Sequence, residues 1–312
     1  QAEYFVNDSL VLRQFCRVYL EKVPDDTTLI RWAQLIGPET LQALNDRVVR
    51  LARSLKATRG RKLRVDTTAV ETNIHFPTDS GLVGDGVRVV SRLLRRARAA
   101  LGEAFRSRFR AVRRLSQQLH RIARRKNDEG RAAPKAAYGR LVAVGKRTGA
   151  QGRRVLQVLE GHGDEAARRL AGQLAEILPR LKRAVGQAER RVLEDDPVPS
   201  AEKLVSVFEP HTQAIPRFKA GKPAEFGRKL RLDEVEGGLV AGFAVLPQGG
   251  GQDQPYLPEA LAHHARRFGR TPRLLAADRG MASAENERLA REAGVKHVAL
   301  PHVGKAPPGR RA

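Results

Sequence analysis

The stretch RKLRVDTTAVETN, residues 61–73, decides the fold because it predicts a strand that carries one acidic residue, Asp66, in its middle. Apolar and polar residues alternate along it, which is the period of a strand with one buried face. Far downstream, LLAADRG, residues 274–280, predicts a second strand that leads into Asp278. If the two strands lie side by side in one sheet, the two carboxylates meet. Such a pair binds Mg²⁺ or Mn²⁺, because hard cations prefer oxygen ligands and leave room for substrate phosphates.

Each aspartate also has a plainer interpretation. Aspartate is disfavoured in strands, so neither residue is present for strand propensity. However, Arg64 and Arg279 are close in sequence, and each aspartate could form a surface ion pair. Asp278 could equally open a turn or cap the helix after Ser283. Their matching strand positions in a strongly basic chain favour phosphoryl transfer on DNA, in which two metal ions stabilise the attacking and leaving oxygens.

The composition predicts a folded protein with a polyanionic partner. The 312 residues include 58 lysines and arginines against 34 aspartates and glutamates, a formal net charge of +24, and hydrophobic residues make up 41% of the chain. This length predicts two or three domains. The single cysteine, Cys16, excludes an intrachain disulfide and favours an intracellular, cytoplasmic protein. Apolar runs such as residues 239–246 are far shorter than the roughly 20 residues that span a bilayer, so we expect no membrane partner.

Four segments follow from the pattern along the chain. Residues 1–60 predict three short helices, which either bind DNA or only pack. Residues 61–86 contain the first strand, and residues 87–200 predict a basic helical insertion of two or three long helices. Residues 201–312 predict a mixed α/β sheet flanked by helices. The elements expected there are a strand at 204–209, a hairpin of 226–235 and 239–246, a helix at 256–268, a strand at 273–277, a helix at 284–293 and a strand at 296–300.

The inserted helices alternate apolar residues with arginine, and few acidic residues compensate the charge. Such a face is often only solvated, but the excess of one sign over about a hundred residues favours a surface that tracks phosphates. The scarcity of aromatic residues indicates contact with the DNA backbone more than reading of bases. The cations predicted to bind DNA are Arg95, Arg96, Arg113, Arg114, Arg124, Arg125 and Lys126, with Lys219 and Lys222 in a basic turn.

Other catalytic chemistries find little support in the sequence. The histidines show no zinc-type spacing with cysteine. The glycines of residues 249–251 do not lead into a phosphate-binding loop. Cys16 lies among apolar residues of a predicted helix, which favours packing over nucleophilic chemistry.

Several blocks of the sequence resemble bacterial insertion-sequence transposases of the Asp-Asp-Glu type. Residues 65–80 are similar to their first catalytic block and residues 277–286 to their second. Residues 221–229 resemble the central strand block, and residues 8–29 resemble the helical N-terminal region. The three strand blocks occur in the family's order, and the likeness covers most of the chain.

The resemblance implies a ribonuclease H-like fold in which two aspartates on neighbouring strands and a glutamate on a later helix hold Mg²⁺ or Mn²⁺. By resemblance, Asp66 takes the first carboxylate role and Asp278 the second. The implied reaction is hydrolysis at transposon ends followed by attack of the freed 3′-hydroxyl on target DNA. The implied partners are double-stranded DNA, as transposon ends and target, and further copies of the chain in a homodimer or larger assembly, in a bacterial cytoplasm at the nucleoid.

The third carboxylate is the departure from the family pattern. The family places this glutamate on a helix beyond the strand expected at 296–300, and we find no candidate for it in this chain. Glu285 and Glu287 belong to the preceding helix, and Glu71 and Glu225 have strand settings. We therefore expect a fragment, cut at both ends, that binds DNA but is impaired as a recombinase. The alternatives are a non-catalytic basic DNA-binding protein with a vestigial ribonuclease H-like sheet, and a stand-alone nuclease.

Overall fold

The computed structural model describes residues 2–102, 105–123, 129–219, 222–247 and 253–301. The helices in these ranges are α1 (Ala2–Asp8), α2 (Leu10–Phe15), α3 (Asp26–Leu35), α4 (Pro38–Ser54), α5 (Asp79–Leu101), α6 (Phe109–Ala123), α7 (Glu129–Glu160), α8 (Glu165–Ala188), α9 (Tyr256–Phe268) and α10 (Ala284–Glu292). The strands are β1 (Lys62–Glu71), β2 (Gln213–Lys219), β3 (Lys222–Glu234), β4 (Val240–Val245), β5 (Leu274–Ala277) and β6 (His297–Ala299).

The strands form one open, mixed sheet. Its order is β2-β3-β1-β5-β6, and β4 pairs with β3. β1 and β5 are parallel, as are β5 and β6, whereas β2 and β3 are antiparallel. The predicted α/β class with a mixed sheet and flanking helices is therefore confirmed. Among the described helices, none combines the length and apolar character that a membrane crossing requires.

The chain divides into two compact units, each described by itself. The first contains the chain up to Asp66, residues 232–243 and the chain from Gln254 onward. The second contains residues 67–231 and 244–253.

The core of the first unit lies against one face of β1 and β5. Leu63, Val65 and Leu275 are at most 1% exposed and pack with Leu257 of α9. Because side chains alternate across a strand, the even-numbered residues of β1 and β5 take the opposite face. The burial of these three side chains therefore decides which way Asp66 points.

The second unit is built on a bundle of α5, α6, α7 and α8. The hydroxyl of Thr78 accepts a hydrogen bond from the Gly81 backbone at 3.0 Å and caps α5, and Asp164 caps α8 in the same way. The apolar positions of all four helices meet in one core. Four helices form where the sequence predicted two or three. Fully buried core residues include Val83, Val87, Val90, Leu141, Leu159, Leu174 and Ala184.

The predicted strand at residues 204–209 is wrong. This segment is an extended loop whose backbone groups bind side chains of α8 instead of a neighbouring strand. The Gln187 amide donates to the Leu204 carbonyl and accepts from its N–H, and Arg180 donates to the Val207 carbonyl. Leu204 and Val207 are buried against the bundle, which explains their strand-like apolar pattern. The strand in this part of the chain is β2.

Candidate active site and nucleic-acid surface

Asp66 and Asp278 occupy matching positions on neighbouring parallel strands. The register runs from Lys62 opposite Leu274 to Val65 opposite Ala277, so its next step places the two aspartates opposite each other. Asp278 keeps an extended backbone, with φ −73° and ψ 175°, just beyond β5. Paired strands lie about 4.8 Å apart, and residues in register on parallel strands share a face. Both aspartates therefore take the face opposite the buried core residues of β1 and β5.

Both plainer interpretations of the aspartates are also realised in the structure. The Asp66 carboxylate lies 3.3 Å from the Arg64 guanidinium and is 46% exposed. Arg64 also approaches the Glu234 carboxylate at 3.8 Å. Asp278 accepts a hydrogen bond from the Met281 backbone at 3.2 Å, which closes the short turn after β5. That bond uses one of the two carboxylate oxygens of Asp278.

The two carboxylates could serve as two of the ligands of a divalent cation. Two partly exposed carboxylates on neighbouring strands match the preference of Mg²⁺ and Mn²⁺ for oxygen donors, with waters or phosphates completing the shell. Within the described ranges, however, no group of three or more acidic, histidine or cysteine residues could hold a metal ion. Among the residues that the structure describes, the site thus offers a carboxylate pair without a third protein ligand.

The glutamates weighed for the third role have other settings. On α10, Glu285 pairs with Arg288 at 2.7 Å and Glu287 pairs with Arg291 at 2.8 Å, as surface pairs one turn apart. Glu285 is exposed, and the hydrogen bond from Arg288 lowers the pKa of its carboxyl group. Glu71 lies at the end of β1. Glu225 lies within β3.

Two acidic residues that contact other residues of β1 were not singled out from the sequence. Glu234 ends β3 and shares Arg64 with Asp66, which only the cross-strand register reveals. Asp253 is 8% exposed, accepts a hydrogen bond from the Thr67 hydroxyl at 2.9 Å and pairs with Lys229. Thr67 follows Asp66 directly and so points to the opposite face of β1. Asp253 is therefore part of a buried polar network and not a third ligand.

The arginines predicted on α5 and α6 lie on the exposed side of these helices. Val112 and Leu119 face the bundle core, which turns Arg113 and Arg114 outward. Arg96 donates to Gln173 at 3.1 Å. In the described part of the chain, Arg95, Arg113 and Arg114 have no carboxylate partner, so their charges are not neutralised locally. Arg124, Arg125 and Lys126 lie outside the described residues, and of Lys219 and Lys222 only the backbone pairing between β2 and β3 is described.

Further cations on α7 were not singled out from the sequence. Arg140, Arg147 and Arg154 are exposed and recur every seven residues, a rise of about 10.5 Å per step. A groove of 710 Å³ between α7 and α8 adds Arg153 and Lys182 above an apolar floor. The seven-residue spacing on one helix was the signal that could have identified these arginines.

Other bundle cations are paired. Lys146 contacts Glu189, Arg169 contacts Glu165 at 3.0 Å, and Arg180 contacts Glu176. The bundle surface is thus cationic chiefly on α5, α6 and α7.

No protein-family model matches this sequence, and no curated protein or solved structure is significantly similar to it.

Proposed function

We propose that this chain is a DNA-binding protein of the insertion-sequence transposase type, with a ribonuclease H-like sheet that presents Asp66 and Asp278 for metal-dependent DNA strand cleavage and joining. The observation that supports this most is the register of β1 and β5, which sets the two aspartates side by side. Two distant sequence blocks that resemble the family's catalytic blocks thereby contribute their acidic residues to neighbouring positions of the sheet. A chance pair of surface aspartates has no reason to meet in this way.

The two carboxylates would hold Mg²⁺ or Mn²⁺ on one face of the sheet, where a phosphodiester could approach them. A bound ion of this kind supplies charge neutralisation at the scissile phosphate and activates the attacking oxygen. Arg64, beside Asp66, provides a guanidinium that can also contact a phosphate oxygen. Among the described residues, no third acidic, histidine or cysteine ligand joins the pair. We therefore propose that the chain binds DNA firmly but cleaves and joins it weakly.

The DNA-binding part of the proposal rests on the unpaired cations of the bundle. Arg95, Arg113 and Arg114 are exposed and lack carboxylate partners among the described residues, so each can neutralise a phosphate. Binding through phosphates releases counterions, and the affinity then falls steeply with salt. The expected partner is double-stranded DNA, contacted through its backbone.

A non-catalytic DNA-binding protein is the second candidate. It is favoured by the contacts of the pair itself, because Asp66 is already paired with Arg64 and Asp278 already caps a turn. In this alternative both aspartates stabilise the sheet, and the cationic bundle performs the function alone.

The two candidates are separated by replacing the pair while DNA binding is followed in parallel. Asp66→Asn and Asp278→Asn should each abolish cleavage of a labelled duplex in Mg²⁺ or Mn²⁺ and leave its binding intact. Asp195→Asn, at an exposed aspartate paired with Lys135, is the matched control and should change neither. Cleavage that survives both substitutions refutes the catalytic role. Tight binding without any cleavage by the unaltered chain supports the second candidate.

The cationic surface has its own test. Arg113→Ala/Arg114→Ala should lower the slope of log affinity against log salt by up to about 1.8, because each lost phosphate contact removes about 0.9. Arg169→Ala is the control, since this exposed arginine is neutralised by Glu165 and should leave the slope nearly unchanged. Equal slopes for the double variant and the unaltered chain would remove α6 from the DNA interface.

A further inference from the structure

A groove of 710 Å³ runs between α7 and α8 of the bundle. Gly145 and Gly152 of α7 face α8 so closely that an added Cβ atom would come within 2.5 and 2.7 Å of its side chains. Gly149 lies between these two, but an added Cβ atom there would have its nearest contact at 3.6 Å, with Arg153 of the same helix. Close packing therefore explains the first two glycines and not the third, above which the space stays open.

The floor of this groove is apolar and shielded from water. Leu178, Leu181 and Val185 of α8 form it together with Ala150 of α7, and the three α8 side chains are only 1% to 6% exposed. A second helix that rested on the two rims would bury little more of this surface. A slim apolar group that enters the space above Gly149 would instead contact the floor directly.

The rim of the groove is cationic. Four basic side chains line it, and the carboxylate of Glu189, also in the lining, is neutralised by one of them, Lys146. Arg147, Arg153 and Lys182 are exposed, and in the part of the chain that the structure describes they have no carboxylate partner. Three cations thus stay available to an acidic group whose apolar part lies on the floor.

The chemistry of the lining points to a ligand other than DNA. The described residues that line the groove include no aromatic ring on which a base could stack, and no side-chain amide or hydroxyl that could read a base edge. A phosphate backbone would use the cations but has no apolar part for the floor. The volume lies within the roughly 300–1,000 Å³ of sites for small organic ligands. The groove therefore fits a small molecule with an apolar body and an acidic end.

We propose that the groove between α7 and α8 binds an organic anion, a carboxylate with an aliphatic or aromatic body. Arg153 reaches back to Gly149, and Lys182 follows Leu181 on the facing helix, so both cations belong to the centre of the groove. They bind the acidic group, and the apolar body lies along the floor. From Gly145 to Arg153 the groove follows α7 for about 12 Å, at 1.5 Å per residue.

Calorimetric titration of the full chain with hexanoate, octanoate and decanoate tests the proposal. The affinity should rise by about fourfold for each methylene that the floor buries. Gly149→Leu should weaken octanoate binding by at least about tenfold, the equivalent of two buried methylenes, because the leucine fills the space above the floor. Gly139→Leu is the control on the same helix, where an added Cβ atom meets nothing within 4 Å, and should bind octanoate as the unaltered chain does. The absence of saturable binding, or equal binding by the two variants, overturns the proposal.

A second pair of variants covers the possibility that Gly149→Leu disturbs the bundle. Arg153→Gln/Lys182→Gln removes only exposed charges and should weaken octanoate binding by at least about twofold, whereas uncharged octanol should bind with unchanged affinity. Arg140→Gln/Arg154→Gln, at two exposed arginines of α7 outside the lining, controls for net charge and should leave octanoate binding nearly unchanged. Equal losses in the two double variants, or an equal loss for octanol, contradict the assigned role of the rim.

Binding of duplex DNA by Gly149→Leu separates this site from the DNA-binding surface. The variant keeps every cation of the rim, so its affinity for DNA should match that of the unaltered chain. A parallel loss of DNA and octanoate binding would overturn the assignment of the groove to an organic anion. Failure of DNA binding in the unaltered chain would instead refute the proposed function and leave octanoate binding unaffected.

Discussion

Two glycines of α7, one turn apart, should respond to alanine in opposite directions. A Cβ atom at Gly145 would lie 2.5 Å from Val185 Cγ2 and 3.3 Å from Val83 Cγ1. A Cβ atom at Gly149 would meet Arg153 Nη1 at 3.6 Å and nothing closer, an ordinary contact. Both positions lie within the same helix of the second unit, so the two substitutions differ mainly in the space available.

The expected free energies follow from that difference. Alanine in place of glycine within a helix stabilises the fold by about 0.8–1 kcal/mol. Gly149→Ala should keep most of this gain. Gly145→Ala must also displace Val185, whose side chain is stiff in a helix, and overpacking of this kind costs about 1–3 kcal/mol. The gain from replacing glycine by alanine in a helix is common to both variants. Their unfolding free energies should therefore differ by the cost of overpacking at Gly145, about 1–3 kcal/mol.

Urea unfolding followed by the helical circular dichroism signal measures this difference. With a denaturant slope of about 2 kcal/mol per molar, the midpoint of Gly149→Ala should exceed that of Gly145→Ala by about 0.5–1.5 M. Unchanged slopes are needed for the comparison. Equal midpoints, or a more stable Gly145→Ala variant, would refute the close approach of α7 to α8 on which the bundle core depends.

Two further predictions concern buried polar groups. Burial lowers the pKa of His264. Its Nε2 donates to the Gly60 carbonyl, and its Nδ1 has no partner among the described residues. Below pH 6.5, the ordinary pKa of histidine, the folded state therefore binds fewer protons at this residue than the unfolded state does. The unfolding free energy should therefore fall as the pH drops below 6.5, and His264→Gln should flatten that dependence in urea titrations at several pH values. Asp79→Asn should lower the melting temperature and reduce the unfolding free energy by about 1–3 kcal/mol, because Asp79 is buried and binds Arg191 at 2.8 Å. The control Asp195→Asn, at an exposed ion pair, should change the unfolding free energy by less than about 1 kcal/mol.

Elements with a strong local period could be predicted from the sequence almost to the residue. The helix expected at 256–268 is α9, and the strands expected at 273–277 and 296–300 are β5 (Leu274–Ala277) and β6 (His297–Ala299). Their apolar residues repeat with one period, and glycine or proline bounds them. The segment at 204–209 has an equally clear apolar pattern, but its backbone partners are side chains of α8. Burial alone produces such a pattern, so it could not distinguish a strand from a buried loop.

The candidate site, too, could be predicted from the sequence only in part. The residue types and their positions in strands singled out Asp66 and Asp278, but their separation depends on the register of two strands that lie about two hundred residues apart in the chain. The position of Glu234 beside the site follows only from its contact with Arg64 across the sheet. Cross-strand contacts of this kind involve no neighbours in sequence, so no local pattern records them.

The position of Arg64 between two carboxylates leads to a final prediction about metal binding. Arg64 lies 3.3 Å from Asp66 and 3.8 Å from Glu234, and all three side chains are between 38% and 61% exposed. If the carboxylate pair binds a divalent cation as proposed, the cation would compete with the guanidinium for Asp66, and Glu234 would offer the guanidinium another partner. Glu234→Gln should therefore weaken Mn²⁺ binding, and Arg64→Gln should strengthen it.

Exposed ion pairs contribute about 0.2–1 kcal/mol, so each substitution should change the Mn²⁺ affinity by about 1.5- to 5-fold. Electron paramagnetic resonance of free Mn²⁺ measures this affinity without any need for DNA cleavage. Asp195→Asn again provides the control for a general change in net charge. Long-range charge alone also predicts these opposite signs, so the decisive comparison is between Glu234→Gln and Asp195→Asn, which a purely long-range charge effect would make equal. If those two variants bind Mn²⁺ alike, Arg64 does not regulate access to Asp66.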